Sequence, residues 1–419
     1  MPYRRWFEAA RRAVVTWLER TPAYLGVAAA FAVCALIALA MAVVTDQTAH
    51  RVWGLLATAG YLVAGIATLR TRRPITGVRV AAAGSVLLPT VVLVVAGISQ
   101  PEVGVVERSA RLLVDTGSPY LAHPTATYDV NPYLPLMSLF GLPRLVLPNI
   151  GLGDPRWWFL LVFGVCFVAA DRLARRARGT EPVLWAVLAT PFLALHASVG
   201  GHDLPVVGLL CLSIALAARG RLSQAGLALG VACALKASAW PALAVIAAFV
   251  VARWGWRHAG RFVANATAVV VGVSLPVLVG PTASAMVAQA AGFPMAHSTF
   301  ASPADSPTPG VLLSHGGPTA KLVGYALLLV VVAALLVALV RRPPRTLAGT
   351  ATFLAVALTA AMLVLPTSRA GYLLYPVVLV TLALRGRTRA SVPAPGAPMW
   401  SPARDELLVP ALSVPAPPH

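Results

Sequence analysis

Along most of this 419-residue chain, apolar runs close to twenty residues long alternate with short clusters of arginine. An α-helix needs about 20 predominantly apolar residues to cross the hydrocarbon core of a bilayer. Residues 24–40, 80–96, 158–170 and 322–340 qualify or come close, and one or two anchors would not account for so many such runs. Hydrophobic residues make up 58% of the chain and charged residues 11%, far from the balance of a soluble domain. In a soluble protein the formal charge of +19 would suggest nucleic acid. Here the arginines lie between apolar runs, so they report topology, with membrane lipid as the surroundings and no nucleic-acid partner.

Short cytoplasmic loops carry the excess of Lys and Arg. Placing the clusters at 4–20, 70–73, 172–178, 219–221, 253–261, 341–345 and 385–389 inside leaves room between successive clusters for out-and-back excursions. The expected spans lie near 24–44, 53–70, 76–97, 157–174, 182–198, 203–218, 222–236, 238–253, 261–280, 320–341, 346–366 and 369–385. The expected fold is therefore an all-α, polytopic transmembrane bundle of about twelve crossings, with both ends in the cytoplasm. Residues 1–97 would hold a basic N-terminus and three spans, the first a retained helix and not a cleaved signal. Residues 98–156 and 281–319 form two long extracytoplasmic loops, separated by spans over 157–280 and followed by the last spans over 320–385. In the first loop, 131–147 is apolar but interrupted by Pro132, Pro135 and Pro143, as suits a juxtamembrane or re-entrant helix. The tail, 386–419, is rich in Pro, Ala and Ser and is expected to be disordered in the cytoplasm.

With most connections too short to hold a site, function should reside in the outer loops. Glu102 sits just past a span, where a carboxylate can be partly desolvated and act as a general base, or can simply be solvated like Glu107. Asp115 reads as helix termination and Asp129 as an exposed loop residue. Gly200-Gly201-His202-Asp203 forms an outer turn in which Asp203 can cap the next helix, hold acceptor hydroxyls, or do both; His202 and nearby His196 stay open. Lys236, flanked by apolar residues, and Arg369, at the outer start of the last span, break the topological trend. Both suit a lipid phosphate, with snorkelling as the alternative. His297 in the second outer loop is either an acid–base group or merely exposed. The four cysteines lie in apolar runs without C-x-x-C spacing, which offers neither a disulfide framework nor a metal site. No Walker, Rossmann or H-E-x-x-H motif appears, so no cofactor is expected.

Taken in order, Glu102, Ala110-Arg111-Leu112-Leu113, Gly117, Pro119-Tyr120, Asn131-Pro132-Tyr133-Leu134-Pro135-Leu136, Phe140-Gly141 and Trp157-Trp158 resemble the GT-C glycosyltransferases. The resemblance covers roughly 95–385. Within that superfamily the chain is most similar to the glycosyltransferase 87 family, mannosyltransferases that use polyprenyl-phosphate mannose. It departs from them in two extra spans ahead of the usual first helix, and in Glu where an Asp is more usual. The resemblance implies an inverting transfer of a hexose, mannose in that family, from a polyprenyl-phosphate donor to a glycan or glycolipid acceptor, outside a bacterial plasma membrane. By the same resemblance Glu102 is the catalytic acidic residue, with Glu107 second in line. Lys236 and Arg369 would bind the donor phosphate, and Asp203, His202, Tyr120, Asn131, Tyr133, His297 and Tyr372 would contact sugar. A transporter or flippase, whose sites lie near the bilayer midplane, and an oligosaccharide ligase are the rival readings.

Overall fold

The computed structural model describes residues 22–148, 150–174 and 181–386. The basic segment before residue 22 and the tail after residue 386 lie outside the described residues. Among those described, every regular element is a helix, and the only β pairing is an isolated bridge between Asp305 and Ser368. The chain is thus the all-α polytopic bundle expected of it. Eight helices are long and apolar enough to cross a membrane: α1 (Ala23–Val44), α2 (Thr48–Thr71), α3 (Pro74–Val95), α4 (Pro155–Ala174), α5 (Ala237–Trp254), α6 (Trp256–Leu278), α7 (Gly317–Arg341) and α8 (Leu347–Val364). Large apolar side chains stand on their outer faces, among them Leu36, Val44, Leu329 and Val340, as hydrocarbon surroundings allow and water does not.

The other four expected crossings are shorter. Pro191 divides one of them into Glu181–Leu188 and Pro191–Val199, and the others are Leu204–Ala218, Leu222–Leu235 and Ala370–Gly386. A 15-residue helix rises only about 22 Å against a hydrocarbon thickness of roughly 30 Å. Leu204–Ala218 is buried on almost every side, packed against α4, Leu222–Leu235 and the helices near the C-terminus. Its all-round apolar sequence fits a central helix. Because these inner helices stop short, polar residues at their ends lie deep in the bundle.

Small residues bring the outer helices together. Gly60 of α2 and Gly84 of α3 meet backbone to backbone: a Cβ on Gly60 would lie 2.6 Å from the Gly84 carbonyl carbon. Gly84 belongs to a π-helical turn, Ala83–Leu87, within α3. That local widening leaves the Ser85 carbonyl to accept from Trp53 Nε1 at 2.9 Å.

Beyond α3 the chain forms an amphipathic helix, Pro101–Thr116, which ends at Gly117, and later the short apolar segment Pro135–Val146. The latter begins as a 3₁₀ turn and is shorter than the helices long enough to cross a membrane. Arg156, 1% exposed, grips Asp154 with two nitrogens at 2.9 and 2.8 Å. Its remaining Nη1 donates to the carbonyls of Ile98 and Ser198. With the Gln100 amide donating to the Val199 carbonyl at 2.8 Å, this pins the start of the Pro101–Thr116 helix to the turn at 200–203.

Candidate active site

Four chain segments end at one place. Pro101 sets the first turn of its helix and puts Glu102 in the second position, where a carboxylate also faces the positive end of the helix dipole. Gly201, at φ +81°, makes the tight turn that presents His202 and Asp203. Lys236 follows the last residue of Leu222–Leu235 in extended backbone, so its charge sits at a helix break and not within a continuous span. Arg369, also extended, lies just before the 3₁₀ turn Ala370–Leu373.

Asp203 is fully buried at the centre. Although it occupies the N-cap position, its side chain accepts no bond from the helix. One oxygen accepts from Lys236 Nζ and from Tyr375 Oη, both at 2.6 Å. The other lies 3.1 Å from His202 Nε2 and 4.0 Å from Arg369 Nη2. Arg369 Nη1 donates to Glu102 Oε1 at 2.5 Å, and its Nη2 lies 3.2 Å from His202 Nε2. That imidazole nitrogen serves Asp203 as a donor or Arg369 as an acceptor, one at a time. Lys236 Nζ stands 4.9 Å over the Tyr372 ring and 5.8 Å over Tyr133, and the Arg369 guanidinium 5.4 Å over Tyr372.

Burial alone would raise the pKa of Glu102, but the Arg369 guanidinium, with help from His202, outweighs it and brings the value down to about 2. Burial pushes the His202 pKa downward. Two carboxylates and two cations therefore balance within a site that water barely reaches. Arg369 Nε is buried with no partner among the described residues, as is His202 Nδ1.

Of the sequence candidates, Glu102, Arg369, Lys236, Asp203, His202, Tyr133 and Tyr372 come together. His196, buried beside Gly371, adjoins them, while the others stand apart. Glu107 lies 3.6 Å from Arg144, and its pKa is raised, chiefly by burial. Tyr120 donates to the Tyr133 carbonyl at 2.7 Å and packs with Leu134, Val277 and Met286. Asn131 braces the loop, donating to the Pro119 carbonyl and accepting from the Tyr133 amide. His297 pairs with Tyr325 at 3.0 Å. Asp115 is exposed just before the Gly117 stop, and Asp129 accepts from Thr125 and Ala126 in its own turn.

Three neighbours escaped the sequence reading. Tyr375 links Asp203 to Ser238, 2.9 Å away. Gln100 Nε2 lies 3.1 Å from His50 Nε2, and the charges of Glu102 and Arg369 act on that imidazole. Tyr375 falls one helical turn after Tyr372. His50 lies in the first turn of α2, next to the connection between the first two spans. Either placement was a usable signal.

Residues 148–253 match the family model described as alpha-(1->6)-mannopyranosyltransferase, N-terminal domain. No curated protein and no solved structure matches the chain. The matched segment contains His202, Asp203 and Lys236, and it bears out the resemblance to a mannosyltransferase family. That segment is thus similar to a mannosyltransferase-family domain and lies within a bundle of apolar helices.

Proposed function

We propose that this protein transfers mannose, with inversion, from a polyprenyl-phosphate donor to a hydroxyl of a glycan or glycolipid on the extracytoplasmic face of a bacterial plasma membrane. The reading rests on one observation above all: a carboxylate, Glu102, shares a recessed site with two cations, Lys236 and Arg369. General-base attack on a sugar phosphodiester needs those charges. The mannosyltransferase family match supports the sugar, and the match carries no information on donor or acceptor.

In the proposed step, an acceptor hydroxyl oxygen forms a bond to the anomeric carbon as the bond from that carbon to the phosphate oxygen breaks. The hydroxyl proton passes to Glu102, and the bonding electrons leave with polyprenyl phosphate. One negative charge thereby moves from Glu102 to the phosphate. Arg369 already bonds Glu102 and Lys236 stands beside the same cluster, so both cations face the phosphate as its charge grows. A carboxylate with a pKa near 2 is a weak base. When the donor phosphate takes up the guanidinium, Glu102 loses its strongest stabilising partner and regains basicity. Asp203, held by Lys236 and Tyr375, keeps the ammonium in place and offers its second oxygen to sugar hydroxyls. His202, Tyr133 and Tyr372 line the same space.

The deciding assay supplies purified protein with radiolabelled polyprenyl-phosphate mannose and a mannoside acceptor. Release of polyprenyl phosphate with label in an α-linked product is expected. Transfer from a nucleotide sugar alone, or movement of the lipid across vesicles without glycosyl transfer, would overturn the reading.

A further inference from the structure

The second outer loop grips the chain on both sides of Arg369. In Ser302-Pro303-Ala304-Asp305-Ser306-Pro307-Thr308-Pro309, burial alternates: Ser302, Ala304, Ser306 and Thr308 are half-buried, while the three prolines and Asp305 are exposed. A period of two means an extended strip with one inward face. The prolines, which lack a donor and fix φ, occupy the outward positions and leave the inward residues free to bond. The Ser306 amide donates to the Ser368 carbonyl at 2.9 Å, and the Ser368 amide donates to the Ala304 carbonyl at 3.0 Å. The Ala370 amide donates to Ser306 Oγ at 3.0 Å. Thr367 Oγ1 donates to the Pro294 carbonyl at 2.5 Å, which adds a fourth tie. The residues on either side of Arg369 are therefore each bonded to Ser306.

We infer that Ser306 is a positioning residue for Arg369: through Ser368 and Ala370 it fixes the backbone from which the guanidinium reaches the donor phosphate. The inference rests on the proposed role of Arg369. Arg369 itself has no backbone bond to the strip, since its carbonyl accepts only from Tyr372, one turn on. Its guanidinium ends on Glu102 and His202, which belong to other segments. A small rotation at Ser368–Ala370 would carry the head group off both. The exposed side of the strip does something separate, with Asp305 paired to His315 at 3.2 Å in solvent.

The test is a double-mutant cycle on the full chain in membranes, using radiolabelled polyprenyl-phosphate mannose. Ser306→Ala should raise the donor KM on the order of ten-fold, from loss of one ordering bond beside a residue that must be well aimed, while kcat changes less. Ser306→Thr keeps the oxygen and should restore the value. Asp305→Ala, on the outward face, should leave it unchanged. In an Arg369→Ala background, Ser306→Ala should add nothing, because its effect passes through the arginine. A ten-fold rise that persists in that background would show a merely structural role and overturn the inference, leaving the donor reading intact. Unchanged KM in Ser306→Ala would also overturn it. Unchanged donor use in Arg369→Ala would instead sink the donor reading and the inference with it. If Ser306→Ala fails to fold, Ser306→Ala with Ala370→Pro removes both partners of the bond. Ala370 starts a helical turn after an extended residue, where proline fits. The same KM rise is expected from that variant, and normal KM in it would overturn the inference.

Discussion

Arg369 donates to Glu102 at 2.5 Å across 267 residues of sequence, closing the candidate site with the two groups that the proposed reaction most needs. The pair fixes each partner where the other can be displaced by a phosphate. It also makes the base weak until that displacement occurs. In the proposed reaction, donor binding and base activation are thereby coupled through one guanidinium.

Replacing Glu102 with Gln keeps its size and most of its hydrogen bonding but removes the proton acceptor. Turnover should fall about 10²–10⁴-fold, the usual range for a lost general base. Donor KM should fall or stay level, because Gln competes with phosphate for Arg369 less strongly than Glu does. Glu102→Asp should retain part of the activity, and Glu107→Gln, beside Arg144, should turn over normally. A collapse in Glu107→Gln with normal Glu102→Gln would move the base to the other carboxylate.

For Arg369 the informative comparison is Lys against Ala. Lys keeps the charge but loses the planar fork that can bond a phosphate through two nitrogens at once. Arg369→Lys should therefore weaken donor use less than Arg369→Ala does. Equal rates in all three proteins would remove Arg369 from the donor site.

The pH profile offers an independent reading. In the free protein Glu102 stays ionised down to about pH 2, so kcat/KM for donor should show no acid limb from it above roughly pH 3. With phosphate on Arg369 the lowering influence is shared, and the carboxyl pKa moves up toward its ordinary value. The profile of kcat should accordingly fall off at a higher pH than that of kcat/KM. Coincident acid limbs would mean that Arg369 stays on Glu102 throughout.

The helices were legible in the sequence because a bilayer demands long apolar runs, and the arginine clusters punctuate them. The short inner helices were harder to judge, since Leu204–Ala218 and Leu222–Leu235 are apolar enough to span but lack the length. Glu102, Lys236 and Arg369 stood out as charges in apolar surroundings, a cost that sequence exposes. The sequence did not reveal who pairs with whom. Asp203 looked equally like a helix cap until three-dimensional contacts turned its oxygens toward Lys236, Tyr375 and His202. Tyr120, Asn131 and His297 shared the loops of the site, but nothing in their local pattern showed that their polar atoms were already spent on the backbone or on Tyr325.

The pair of Asp203 and Lys236 separates folding from function. Asp203→Asn leaves a nearly buried ammonium without its counter-charge, and breaking one side of a buried pair typically costs about 3–5 kcal/mol. The variant should unfold at markedly lower temperature in detergent and show little activity, an outcome that does not by itself distinguish a scaffold from a donor-binding group. Replacing both residues, Asp203→Asn with Lys236→Met, removes the stranded charge. A buried pair exchanged for uncharged groups of similar size is often neutral in stability. Thermal stability should then return toward that of the parent protein, while transfer from polyprenyl-phosphate mannose stays low because the second phosphate-binding cation is gone. Recovery of both stability and transfer in the double variant would confine Asp203 and Lys236 to a structural role and leave Arg369 as the only cation needed for the donor.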